Sequence, residues 1–347
     1  MKMHTKNLSI LYLIGDRGLD LTKGEGYKIH VLKIIDGLEK KGNKVFLLTI
    51  NESPSLPEFE NYLTIRHKYL RFFFHRFFPF SGTLNSINIL KHIIRLHKLH
   101  KFDVIHERFG LYSFGGILAA KILHIPHLAE INGPGIEEKK LFTRNIAPIQ
   151  KFTAKSIRKF CLRNTNHIIA VSKNLKRFLI DNRVVKEDKI TVLPNAADVT
   201  AFSKQFDVQS LKASLHLEDK FIIAYTGTLQ VWYAIEDLVS AFPSVIEKVP
   251  NAFLLIVGEG QAMEKLEKQV KQLGISDNVK FTGYVPHSKI HEFVSLADVV
   301  VAPYKEVGMP FFNSPIKVFE YLSAGKAIVA TKIGQITEVL QDQHTAL

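Results

Sequence analysis

Short apolar runs of strand length recur along this whole chain, separated by longer stretches whose apolar residues fall at helical spacing. LSILYLI (8–14), KVFLLTI (44–50), FDVIHERFG (102–110), PHLAEING (126–133), HIIAVS (167–172) and KITVLP (189–194) occupy the first half. FIIAYTGTL (221–229), AFLLIVGEG (252–260), NVKFTGYV (278–285), DVVVAPY (298–304) and KAIVAT (326–331) occupy the second. Such alternation builds parallel sheets covered by helices on both faces. At 347 residues the chain is long for one domain, so the fold class expected is α/β with two doubly wound, Rossmann-like domains facing across a cleft. A short polar helix near 208–216 separates the two series, with a boundary in 203–215 and domains of 1–205 and 206–347. A cleft between two such domains is the default ligand site.

The stretch Asn313–Thr331, NSPIKVFEYLSAGKAIVAT, shows what chemistry such strand and helix ends can offer. It reads as a loop, a helix start, a small-residue turn at Ala324-Gly325 and a buried strand. Ser314 and Pro315 suit the helix start, because a serine oxygen accepts an orphan amide and proline needs no donor there. The free amides, with the positive end of the helix dipole, suit a diphosphate. Lys317 adds a full positive charge in the first turn. Glu320, one turn further on or near the same face, offers a carboxylate that can accept both hydroxyls of a ribose. An ordinary αβ unit with a capped helix fits the same residues.

From Gly26 the positions Ile29, Leu32, Ile34, Ile35 and Leu38 recur at helical spacing until Lys41-Gly42. Gly26 thus lies near a helix N-terminus in a right-handed βαβ unit, where the backbone of a glycine can approach a phosphate closely. The spacing is not GxGxxG. Arg108, Glu130 and Asn132 lie at carboxyl ends of strands, which face the ligand crevice in an open parallel sheet; strand-end capping accounts for them equally well. Gly227, Gly258 and Gly283 close three further strands and let backbone amides face that crevice. His92, His97 and His100 have no carboxylate or cysteine among them, so no metal site is expected there. YLRFFFHRFFPF (69–80) reads as a buried core segment or as an interfacial one, its Phe side chains in a bilayer and Arg71, His75 and Arg76 on lipid phosphates.

Charge is unevenly spread. Residues 1–200 carry 33 Lys plus Arg against 17 Asp plus Glu, net +16, and residues 201–347 carry 13 against 16, net −3. The first half is therefore expected to meet an acidic surface, and an anionic membrane explains this as well as nucleic acid does. No zinc-finger spacing, RNP-type motif or basic region with heptads is present, so no nucleic-acid partner is expected. Cys161 is the single cysteine, which excludes an intrachain disulfide and fits a reducing cytosol. The first residues lead straight into a strand pattern, and no apolar run reaches membrane-span length. The expectation is a soluble cytoplasmic protein, peripheral at the inner face of the plasma membrane.

In order along the chain, EGYKIHV (25–31), DVIHERFG (103–110), IPHLAEING (125–133), HIIAVS (167–172), KITVLPNAAD (189–198), TGTLQVWYAIEDL (226–238), LLIVGEG (254–260), VKFTGYV (279–285), LADVVVAPY (296–304) and SPIKVFEYLSAGKAIVAT (314–331) resemble the retaining glycosyltransferases of family 4. That family shares the two-domain GT-B fold with glycogen synthases. The resemblance implies transfer of a sugar from a nucleotide diphosphate sugar with retention of configuration, without a cofactor or catalytic metal. It places the ribose on Glu320, and the diphosphate on the amides around Asn313, Ser314, Pro315, Ile316 and Lys317. Gly227 and Thr228 belong to the same donor site, Gly26 closes on it from the first domain, and the backbone at Tyr284 and Val285 holds the base. Asn132 takes the place of a histidine that contacts donor sugar or acceptor, with Glu130 on the acceptor side.

The sequence departs from the family pattern at three places. Phe312 stands at the first position of the E-x7-E pair that Glu320 closes. Gly227-Thr228 and Tyr233-Ala234 replace a Gly-Arg and a Lys-Gly, so two cations for the leaving diphosphate are absent, leaving that work to Lys317 and Arg108. The chain also stops at HTAL, where the family has another αβ unit and a long helix, which implies truncation. The expected reaction is attack by an acceptor hydroxyl on the face the diphosphate leaves, Lys317, Asn132 and Arg108 being the candidate catalytic residues. The acceptor expected is a lipid-linked glycan in surface polysaccharide synthesis. A non-catalytic partner of another transferase, and a nucleotide-sugar 2-epimerase using Glu107 and Glu130, are the alternatives.

Overall fold

A computed structural model describes residues 7–15, 21, 25–49, 65–66, 81–137, 148–182, 184–204, 206–230 and 233–342. The aromatic run 69–80, most of the loop between Gly15 and Gly26, and the closing HTAL lie outside the described residues. The chain forms two compact units, Met1–Pro194 and Asn195–Leu347.

In the first unit the elements run β1 (Ser9–Ile14), α1 (Glu25–Lys40), β2 (Lys44–Thr49), β3 (Ile65–Arg66), α2 (Ser81–His100), β4 (Val104–Arg108), α3 (Gly115–Leu123), β5 (His127–Ile131), α4 (Pro148–Asn164), β6 (His167–Ala170), α5 (Lys173–Asp181) and β7 (Ile190–Val192). The strands pair in parallel in the order β3-β2-β1-β4-β5-β6-β7. Successive residues of one strand point to opposite cores, as the two-residue period requires. Leu11 and Leu13 of β1 join Phe46 and Leu48 on one face. Ile10, Tyr12 and Ile14 join Val45 and Leu47 on the other.

The second unit runs α6 (Val199–Phe202), α7 (Val208–Leu215), β8 (Phe221–Thr226), α8 (Ile235–Lys248), β9 (Ala252–Val257), α9 (Met263–Gln272), β10 (Val279–Phe281), α10 (His287–Leu296), β11 (Val299–Ala302), α11 (Ile316–Ser323), β12 (Ala327–Ala330) and α12 (Ile336–Val339). Its five parallel strands lie in the order β10-β9-β8-β11-β12. Again both faces are buried, Ile222 and Ala224 on one and Tyr225 on the other. The division falls ahead of the expected 205/206 boundary for a packing reason. Phe202 of α6 is buried in the core formed by Ile222, Ala224 and Val300, so the residues after Pro194 already belong to the second unit. Among the described residues no helix is long and apolar enough to cross a membrane.

At the carboxyl ends of β8, β9 and β10 the chain turns on Gly227, Gly258 and Gly283, all at positive φ. The amide of Gly258 donates to the carbonyl of Gly283 at 3.1 Å. A Cβ on Gly258 would lie 2.0 Å from the carbonyl oxygen of Gly227. Both the left-handed backbone and this close approach demand glycine. Gly258→Ala should therefore lower the unfolding free energy by about 3 kcal/mol; urea denaturation with an unchanged midpoint would show that the strand ends can spread apart.

Candidate active site

In an open parallel sheet the ligand crevice forms at the carboxyl ends of the two strands where the winding direction reverses. Those strands are β1 and β4 in the first sheet, and β8 and β11 in the second. Each unit holds a charged group at or beside that place.

In the second unit it is Lys317, in the first turn of α11. Its ammonium lies 3.8 Å from the ring centre of Tyr225, 4.9 Å from that of Tyr233 and 5.9 Å from that of Tyr304. The negative faces of aromatic rings attract a cation, so the three tyrosines form a seat for it. Gly227 completes the seat, since a Cβ there would come 2.8 Å from Nζ. The residue is only partly buried, but its ammonium lies inside the cage. Burial pulls its pKa from 10.5 down to about 7, against the upward influence of Glu320. Burial also raises the Tyr225 and Tyr304 hydroxyls, which stay protonated. Tyr225 donates to the carbonyl of the exposed Thr228 at 2.8 Å, which fixes the turn after β8.

The start of α11 differs from the sequence expectation in one respect. Ser314 does not cap the helix. Pro315 occupies the cap position and makes no side-chain cap hydrogen bond, and among the described residues no side chain accepts from the first amides. Ser314 instead accepts from the amide of Asn195 at 2.8 Å, and its carbonyl accepts from Asn195 Nδ2 at 2.6 Å. The serine thus ties down the loop entering this unit and leaves the helix end uncapped. Such an end attracts anions through its unpaired amides and the helix dipole.

Glu320, one turn beyond Lys317, is buried and accepts from His287 Nε2 at 2.6 Å through Oε1. His287 opens α10, two residues after Val285, so the carboxylate and the segment expected to hold a base are tied together. Tyr284 is exposed, Val285 half-buried, Asn313 exposed and Ile316 half-buried. Phe312 is buried, an aromatic where the family pattern has a carboxylate.

In the first unit the charged group is Glu130, 1 % exposed at the end of β5. Its carboxylate accepts from Tyr12 at 2.8 Å, from His30 Nε2 at 2.6 Å, from Arg108 Nη1 at 3.2 Å and from Asn132 Nδ2 at 2.7 Å. His106 Nε2 also lies 3.2 Å away, without a directed hydrogen bond. Burial alone would raise its pKa, but the neighbouring His106 and His30 and the Arg108 charge outweigh it and hold Glu130 well below the usual carboxylate range. Burial and the Glu130 charge push Tyr12 up, so its hydroxyl remains a donor. Glu130 is therefore a fixed anion with its acceptor sites filled. It orients Arg108 and Asn132, and Arg108 Nε keeps an unused donor. Gly26, on α1 one turn before His30, is exposed with open space around its Cα.

Glu107 is likewise engaged. It is fully buried and accepts from Ser113 Oγ and from His127 Nε2, the latter at 2.8 Å, while His127 Nδ1 meets Thr165 Oγ1 at 2.7 Å. Neither carboxylate named for epimerase chemistry is placed to exchange protons with a ligand. Among the described residues, no group of three or more His, Cys, Asp or Glu could hold a metal ion.

Sequence reasoning thus finds Lys317, Glu320, Gly227, Arg108, Glu130 and Asn132, and the structure groups them as two centres. It misses Tyr225, Tyr233, Tyr304 and His287 in one, and Tyr12, His30 and His106 in the other. A tyrosine at the carboxyl end of an otherwise apolar strand, as Tyr225 and Tyr304 are, is the available signal.

Because the Glu130 pKa is depressed, its stabilisation is complete above the ordinary value of 4.5 and is lost as the pH falls from there. Glu130→Gln should cost about 3–5 kcal/mol at neutral pH, since it leaves Arg108 and its neighbours without their anion. It should also flatten the acid limb of stability against pH, measured by urea midpoints; an unaltered acid limb would assign that limb to other groups.

Two family models match the chain: Glycosyltransferase Family 4 over residues 25–201, and Glycosyl transferases group 1 over residues 207–347. An uncharacterized glycosyltransferase of Methanocaldococcus jannaschii is 26% identical over 323 residues, covering 92% of this chain and 79% of that protein. The alpha-monoglucosyldiacylglycerol synthase of Acholeplasma laidlawii is 25% identical over 293 residues, 79% of this chain and 70% of the relative. Among solved structures, a glycosyltransferase from Rickettsia africae superposes with a TM-score of 0.76 at 18% identity, covering 98% of this chain and 83% of that one. Anabaena HepE in complex with UDP gives 0.72 at 16%, covering 98% and 85%. With GT-B glycosyltransferases as its structural neighbours and both family models in place, the chain belongs to glycosyltransferase family 4 and is a hexosyltransferase of the GT-B fold.

Proposed function

We propose that this glycosyltransferase takes a sugar from a nucleotide diphosphate sugar held by its second unit and transfers it, with retention, to a hydroxyl of a glycan or lipid-linked acceptor. The observation that carries this reading is the position of Lys317. One ammonium, seated against Gly227 where β8 and β11 diverge, lies in the first turn of a helix that no side chain caps among the described residues. An anion with two phosphoryl groups suits that combination of amides, dipole and point charge. The Anabaena neighbour was solved with UDP, and the A. laidlawii relative is named for making a glucosylated diacylglycerol; both support the reading.

In the reaction the bond between the anomeric carbon and the phosphate oxygen breaks, and its electron pair leaves with the diphosphate. The acceptor oxygen bonds to the same carbon on the same face, and its proton passes to a donor phosphate oxygen. Lys317 and the α11 amides stabilise the growing negative charge, which falls to the protein in this reading and not to a metal ion. Tyr225, Tyr233 and Tyr304 position the ammonium. Glu320 accepts the ribose hydroxyls, with His287 holding Oε1 and leaving Oε2 for the sugar, and the backbone at Tyr284 and Val285 meets the base. Arg108 and Asn132, oriented by Glu130, serve the transferred sugar and the acceptor. The site lies at a cytoplasmic membrane surface, where surface polysaccharide precursors are assembled.

Glu320→Ala should weaken UDP binding at least about tenfold, the loss of hydrogen bonds to a charged acceptor; equal calorimetric affinities of variant and parent would withdraw the ribose assignment. A second test uses the titration of Lys317. Without ligand the ammonium loses its proton around pH 7, and a diphosphate beside it raises that value. Binding then takes up a proton between the free and the bound value, so affinity is full below pH 7 and falls by up to about tenfold per pH unit above it. The binding enthalpy at pH 8.5 should differ between Tris and HEPES for the parent and not for Lys317→Met. A buffer-independent enthalpy in the parent would refute the assignment.

A further inference from the structure

We propose that the first turns of α2 and α4 form a membrane-docking face, an apolar tip that enters an anionic bilayer and is flanked by cationic helix stripes. This deepens the reading of a lipid-borne acceptor given above and rests on it. The two helix starts meet at one residue. Tyr112, at positive φ between β4 and α3, accepts through its carbonyl from Ser86 Oγ of α2 at 2.7 Å and donates its hydroxyl to the carbonyl of Gln150 of α4 at 3.1 Å. Gly82 of α2 packs on the same ring, since a Cβ there would lie 3.0 Å from Tyr112 Cβ.

Around this junction apolar side chains face solvent. Ile149 is 59 % and Phe152 73 % exposed in the first two turns of α4, and Leu84 and Ile87 are exposed at the same level of α2. Each pair is three residues apart and so shares one helix face. Exposed large apolar groups gathered at one place mark an interaction surface. The charge around them selects the partner. The exposed stripe of α4 continues through Lys155, which pairs with Glu137 at 3.3 Å, and Lys159, and that of α2 through Lys91 and Arg95. Neither helix contains an Asp or Glu. Apolar insertion beside cations, on a half-chain of net +16, matches the interfacial region of an anionic bilayer.

Position agrees with use. Helices that link parallel strands run antiparallel to them, so the starts of α2 and α4 lie at the carboxyl end of the first sheet. That is the end at which Arg108, Glu130 and Asn132 gather. A lipid-borne hydroxyl delivered by a bilayer on this face arrives at the level of those residues.

The test is sedimentation with phosphatidylcholine vesicles with and without phosphatidylglycerol. The parent should bind the anionic vesicles at low salt and release at high salt. Ile149→Ser with Phe152→Ser should lower the partition coefficient about tenfold or more. Lys155→Gln with Lys159→Gln should lower it about five-fold per charge at low salt and flatten the salt dependence. Leu99→Ser, 71 % exposed at the far end of α2, should change nothing. UDP-induced thermal shift, measured on the same preparations, should be equal in parent and variants. It separates the two ideas: a lost shift in the parent sinks the donor site without touching the docking face. Vesicle binding that ignores the α4 substitutions, absence of binding to anionic vesicles, or a concentration-dependent dimer abolished by Phe152→Ser would overturn the docking face.

Discussion

A charge removed from water must be compensated where it stands. The two charged groups at or beside the reversal points of these sheets are compensated in opposite ways. Glu130 is surrounded by hydrogen-bond donors from three different elements and a loop, Tyr12 on β1, His30 on α1, Arg108 on β4 and Asn132 just beyond β5, with His106 of β4 close by. That arrangement holds the carboxylate in one state and makes it an anchor for the side chains around it. Lys317 has ring faces in place of counter-ions, with Glu320 one turn away. Ring quadrupoles attract an ammonium without neutralising it, and burial brings its pKa to about 7. One centre is thus electrostatically closed, and the other holds a cation without a bonded counter-ion among the described residues.

This contrast explains which parts of the molecule can be read from the amino-acid sequence. The layer architecture is legible because both faces of each sheet are covered, which makes strands such as AFLLIV apolar at every position. Strand ends are legible too, because Arg108, Glu130 and Asn132 interrupt such runs with polar groups. What those side chains touch is not. Tyr12 reaches Glu130 across 118 positions of chain, and Asn195 reaches Ser314 across 119. No local rule connects residues so far apart, and a serine before a proline and a helix looks like a cap whatever its hydroxyl does. The contact division at 194/195 precedes the expected boundary for a related reason: Phe202 belongs to the second core by contact, although the turn-rich composition around it suggests the end of the first.

The departures from the family pattern form a consistent set when placed in space. The resemblance leads one to expect a lysine at 233 and a glutamate at 312, and aromatic residues stand at both. Tyr233 meets Tyr304 edge-on, with centroids 5.2 Å apart at 90°, and Tyr304 meets Phe311 at 5.0 Å and 67°. Edge-to-face packing of this kind fixes ring orientation as well as distance. Here it presents ring faces to Lys317, and the bridge between Tyr233 and Tyr304 holds the two backbones together.

A lysine at 233 would have brought a second ammonium toward Lys317 and raised the cost of keeping either charged. A tyrosine there removes that repulsion and adds attraction. Removal of the carboxylate at 312 acts in the same direction on the pocket's balance, since a lone cation requires fewer anions to offset it. The exchange of two cations and an anion for Thr228, Tyr233 and Phe312 therefore lowers the net charge by one and concentrates the positive charge that remains on one ammonium. Its location is set by Gly227 and by three tyrosines from different loops and strands. In the proposed donor site, precision of placement then does what a larger number of charges would otherwise do.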